Sequence, residues 1–91
     1  MKLNRVTKGH YCATVPTILE FEGVGHEENV TVDVEHIKDQ WVLNIFLATS
    51  VTSLVLYDRV SRTKADVVQR AEVCIKQGFR YHKGVGYFVR G

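Results

Sequence analysis

The chain has 91 residues, 45% hydrophobic and 24% charged, with a net charge of +2. That size allows one domain and one core, burying roughly 60–70% of the unfolded surface, and leaves no room for a second domain. Two cysteines, Cys12 and Cys74, make no disulfide framework, and no apolar run is long enough to span a membrane.

The first nine residues, MKLNRVTKG, are expected to be an extended lead-in with a short strand through Leu3 and Val6. They contain no apolar signal segment, so the expected location is cytoplasmic, with no membrane partner. His10–Glu22 is expected to be a strand broken near Pro16, because proline has no N–H to give a ladder and belongs at an edge or a bulge. Residues 23–29, GVGHEEN, are expected to be an acidic loop and a contact site.

Val30, Val32 and Val34 alternate with Thr31, Asp33 and Glu35, the pattern of a strand covered on one face. Lys38-Asp39-Gln40 is a turn. Trp41–Thr49 follows with apolar residues on both faces: Trp41, Leu43, Ile45 and Leu47 on one, Val42, Phe46 and Ala48 on the other. Such a strand is central and covered on both sides. Val51–Val60 is rich in Val, Leu, Thr and Tyr and is expected to be a third strand.

The organising segment is SRTKADVVQRAEVCIKQG, Ser61–Gly78. Thr63 stands as N-cap with Asp66 three residues on, and Gly78 fits the position just past the end. Val67, Val68, Ala71, Cys74 and Ile75 recur at spacings of three and four, giving one narrow apolar stripe. Asp66 with Arg70, and Glu72 with Lys76, are spaced for i,i+4 ion pairs. Phe79–Val89 then predicts a short hairpin turning at His82-Lys83-Gly84. The fold expected is α+β: a mainly antiparallel sheet of five or six strands with one helix, about 63–77, packed on one face, in a single domain 1–91.

The charge is distributed in blocks. Residues 1–19 carry +3, residues 20–58 carry −7 and residues 59–91 carry +6. Opposite-signed blocks could steer a partner or be compensated between neighbouring strands, and compensation is the expectation favoured.

Few residues suggest chemistry. Nothing local activates Cys12 or Cys74, and no Cys-x-x-Cys or His-x-x-x-His spacing appears, so no catalytic residue, cofactor or metal ligand is assigned. Glu20 and Glu22 fit a solvated edge. In the C-terminal segment, bases alternate with aromatics, a pattern that can stack nucleobases and meet phosphates. Lys83–Arg90, KGVGYFVR, partly resembles the RNP1 octamer of the RNA-recognition motif. Lys83, Gly84, Gly86 and Tyr87 match it, whereas Val85 and Arg90 replace expected aromatics. That family places the octamer on an inner strand followed by a helix, and no helix follows here, so the family is not assigned.

The function expected is a small non-enzymatic binding or regulatory module working by protein–protein contact, of the kind found among phage or mobile-element accessory and inhibitor proteins. Glu27, Glu28 and Trp41 are its candidate contact residues, and a homodimer would cover the second apolar face. One alternative is a nucleic-acid-binding regulator using Arg62, Lys64, Arg70, Arg80, Tyr81, Lys83, Tyr87 and Arg90. Another is a ligand-binding or enzymatic dimer with a pocket at the subunit seam.

Overall fold

The computed structural model describes residues 1–91. The elements in order are β1 (Asn4–Thr7), β2 (His10–Phe21), β3 (Val24–Ile37), β4 (Gln40–Ala48), β5 (Ser53–Ser61), α1 (Lys64–Gln77), β6 (Phe79–His82) and β7 (Gly86–Val89). The fold is α+β, with one helix and a mostly antiparallel, nearly barrel-shaped sheet. Six strands run in the order β5-β4-β3-β2-β6-β7, and β1 adds a seventh by pairing with β2. The sheet has one strand beyond the six expected at most, because the lead-in joins it as β1.

Neighbouring strands joined by short turns pair antiparallel. β2 and β6 are the exception, meeting in parallel at Leu19–Phe79 and Glu20–Arg80. That contact needs the helical crossover between β5 and β6. It brings β7 round toward β5, with Cα atoms of the two within 8 Å but no ladder between them.

α1 begins and ends where its capping chemistry dictates. The Asp66 N–H donates to Thr63 Oγ1 at 3.2 Å. Gly78 has φ of 80° and donates its N–H to the Cys74 carbonyl at 2.8 Å. A Cβ on Gly78 would lie 2.7 Å from the Ile18 carbonyl oxygen, so the chain can pass β2 only as glycine. Val67, Ala71 and Cys74 of α1 join one core with Leu19, Val30, Val32, Val34, Leu43, Ile45, Leu56 and Phe79. The expected i,i+4 ion pair of Asp66 is replaced by a longer-range one: its carboxylate meets Arg59 of β5 at 3.3 Å.

Pro16 does not break β2, which pairs continuously with β3 from His10–Glu35 to Phe21–Val24. On its other edge, β2 meets β1 at His10–Cys12 and β6 only from Leu19, so Pro16 faces a gap where no ladder donor is needed. In that gap Thr17 Oγ1 donates to the Ile75 carbonyl at 2.7 Å.

The expected acidic loop at 23–29 is a strand. Glu22 and Gly23 both have positive φ, 52° and 79°, and make a two-residue turn after which β3 starts at Val24. Composition suggested a loop because two glycines and two acids lie there. Pairing with β2 overrides that weak preference.

Candidate functional site

In the arm, the outer end of the β2–β3 hairpin, β2 continues into the sheet through β6 while β3 forms an edge. β4 pairs with β3 only from Thr31 to Ile37. Val24–Val30, about 20 Å of strand, therefore has β2 on one side and no strand on the other.

The ladder fixes which groups are open. In a two-residue hairpin the flanking residues exchange both hydrogen bonds, so Phe21–Val24 is a bonded pair and bonding alternates from there. Even-numbered residues of β3 face β2 and odd-numbered ones face β4. The β3–β4 hairpin gives the same parity, since Ile37–Gln40 flanks the Lys38-Asp39 turn and Thr31 pairs with Phe46. It also makes Pro16–Asn29 a non-bonded pair, as a proline requires. Gly25, Glu27 and Asn29 consequently point their N–H and C=O groups outward along the arm, toward the side β4 would occupy.

The arm is acidic and partly apolar. Glu22, Glu27 and Glu28 are exposed and none takes part in an ion pair. Val24 is 61% exposed and Phe21 42%. Phe21 stacks on Tyr81 at 5.0 Å, and Tyr81 meets Tyr87 edge-on at 5.3 Å, so the C-terminal hairpin buttresses the tip.

Glu20 differs from the other acids of this hairpin. Arg80 Nε donates to its carboxylate and Arg90 lies 3.8 Å away. Hydrogen bonding to Arg80 holds the Glu20 carboxyl below its ordinary range, against the opposing effect of desolvation. Glu20 is therefore a cross-strand partner of β6 and not a solvated edge residue, and part of the acidic middle is compensated by the basic C-terminal block.

The basic and aromatic C-terminal candidates are spread out. Arg80 and Arg90 converge on Glu20. Tyr81 and Tyr87 are half-buried against each other, and Lys83 is exposed in the turn. Arg62 and Lys64 lie at the start of α1, about 21 Å of helix away from Gly78. Arg70 is exposed midway. Lys64 Nζ lies 3.5 Å from the ring centroid of Tyr11 and 5.8 Å from that of Trp41. A lysine at a helix N-terminus opposes the dipole, and the two aromatic faces offset that. β7, which carries Gly86 and Tyr87, ends the sheet, whereas the RNP1 octamer occupies an inner strand.

Trp41 is half-buried and stacks on His36 at 4.7 Å. It sits at the opposite end of β3 from Glu27 and Glu28, about 30 Å away by strand rise. The three protein-contact candidates thus mark two separate surfaces.

A groove of about 550 Å³ runs between β5 and β7, with Val55, Tyr57, Asp58, Tyr87 and Phe88 among its walls. It contains no histidine. Along β4 and β5, Phe46 pairs with Val55 and Val42 with Val60, and Val55 and Val60 are both more than half exposed.

On the outer face of β2 and β3, His10 Nε2 donates to Asp33 Oδ1 at 2.5 Å, with Cys12 opposite Asp33 in the ladder. The hydrogen bond to Asp33 raises the His10 pKa. Burial pushes the Cys74 thiol up. No three of His, Cys, Asp and Glu are grouped so as to hold a metal ion. No helix is long and apolar enough to cross a membrane.

Comparison with protein-family models, with curated proteins and with solved structures finds no match to this chain.

The open edge at Gly25, Glu27 and Asn29 was not apparent from sequence, although Glu27 and Glu28 were singled out for their charge. The signal was Glu22-Gly23 between Phe21 and Val24, a turn dipeptide flanked by strand formers.

Proposed function

We propose that this protein is a non-enzymatic, cytoplasmic binding module that works by contact with another protein. The observation that supports this most is the outer end of the β2–β3 hairpin. It carries unpaired acids, exposed Phe21 and Val24, and a backbone edge with no partner in its own chain. A regulatory or inhibitory role, such as accessory proteins of phages and mobile elements perform, fits a chain of this size whose surface offers contact and no reactive cluster.

Display selection of protein fragments on the purified protein, repeated with single- and double-stranded oligonucleotides as competitors at low and moderate salt, tests the reading. Fragments should be recovered, and oligonucleotides should not displace them. Oligonucleotide binding that fades steeply with salt, with no fragment recovered, would overturn it in favour of the basic residues near Lys83 and Arg62.

A second reading has its own support. Val42, Val60, Phe46 and Val55 of β4 and β5 form an apolar strip that a second copy would cover. Light scattering should then give twice the chain mass, and Val60→Lys should return it to one.

A further inference from the structure

We infer that the open edge of β3 between Val24 and Val30 docks an extended, basic segment of a protein partner as an added strand. This rests on the protein-binding reading above and names the place and chemistry of contact. Gly25, Glu27 and Asn29 each direct one N–H and one C=O outward, a repeat that only another extended backbone satisfies in full. At Gly25 a Cβ would press on Ile18 Cγ2 at 3.1 Å, so the glycine lets the arm stay flat at its outer end.

Charge selects the occupant. Alternation puts Glu27 on one face of the arm and Glu28 on the other. An added strand places its side chains about 4.5–5.5 Å from theirs, where opposite charge is favoured and like charge is not. Lysine or arginine on both faces of the incoming strand therefore fits. A second copy of this edge fits less well: in the antiparallel register centred on Glu27 that residue faces its own counterpart, and in the register centred on Glu28 that residue does. The acids thus disfavour these self-pairings while leaving the edge open to a basic strand. The outer edge of β1 is also free, but it is only four residues long, NRVT, and carries no acid. Two further edges have less room. β5 and β7 approach within 8 Å, whereas an inserted strand needs about 9.6 Å between its neighbours. The gap in β2 is occupied by Thr17, Ile75 and Gly78.

The test is selection from a random heptapeptide display library, followed by titration of the enriched peptides. Enriched sequences should be basic with alternating β-branched residues, and binding should slow amide hydrogen exchange at Gly25, Glu27 and Asn29. Glu27→Lys with Glu28→Lys should weaken binding by about tenfold or more. Glu27→Pro removes an outward N–H that makes no bond within the chain, and should abolish binding with the fold intact by circular dichroism. If that variant does not fold, the exchange pattern of the unaltered protein decides. Acidic or neutral winners, or unchanged exchange at the three amides, would overturn the inference. Peptides that bind with protection elsewhere would overturn it while leaving a protein-binding function standing. Failure to enrich any peptide would overturn it as well.

Discussion

β3 is one strand with two environments. From Thr31 to Ile37 it lies between β2 and β4, and Val32 and Val34 are fully buried, as Val30 is just before them. From Val24 to Asn29 it has a single neighbour and no buried residue. The residue types overlap, since Val24 and Val32 both point to the core side of the strand. The number of neighbouring elements sets burial here, and hydrophobicity alone does not. The inner half contributes stability and the outer half is free to contribute contact.

The largest effect is expected where the chain leaving α1 crosses β2. Gly78 passes beside Ile18, which pairs with Glu27 in the outer half. Gly78→Ala places a methyl 2.7 Å from a backbone oxygen at positive φ and should cost about 3 kcal/mol or more. Urea unfolding would show it as a lower midpoint, and an unchanged midpoint would mean the crossing is not as close as described.

Next comes a matched pair on β3 itself. Val32→Ala should cost about 2–3 kcal/mol, because two methyl groups leave a fully buried site. Val24→Ala should cost within about 0.5 kcal/mol. Equal losses would erase the distinction between body and arm.

A smaller effect, of opposite sign, is expected at the other end of β3. Lys38 and Asp39 both have positive φ, 48° and 63°, in a two-residue turn that contains no glycine. Asn and Gly suit that geometry best. Lys38→Asn with Asp39→Gly should stabilise by about 0.5–1 kcal/mol and raise the melting temperature.

The narrowest effect depends on pH. Asp33 raises the pKa of His10, so the folded state holds that proton more tightly than the unfolded chain. The resulting stability is fully present below about pH 6.5, the ordinary histidine value, and is lost as pH rises through the folded value. The melting-temperature difference between the unaltered protein and His10→Ala should therefore be largest near pH 5 and shrink toward pH 9. A difference that is the same at every pH would mean that the pair does not titrate on folding.

Local chemistry made much of this fold legible in the sequence. The Thr63 cap, the Gly78 stop, the valine alternation at 30–34 and the C-terminal hairpin each depend on residues close together in the chain, and each appears where expected. The parallel contact of β2 with β6 and the near-closure of the sheet at β5 and β7 depend on residues far apart, and periodicity has no access to that. The arm was missed for a different reason. Its side chains look like loop because no face of it is buried, while its strand geometry comes from backbone pairing that composition does not encode. Charge pointed to Glu27 and Glu28, but the edge they guard emerged only from ladder parity.

The parallel contact of β2 with β6 also orders events in time. β2 to β5 pair with their sequence neighbours and can form as soon as those residues exist. Joining Arg80 to Glu20 spans 60 residues, a closure costing about 3–4 kcal/mol in chain entropy before any contact repays it. The meander should thus fold early and the α1–β6–β7 unit should dock late. On a ribosome, the exposed valines of the meander would wait for that final third of the chain to cover them.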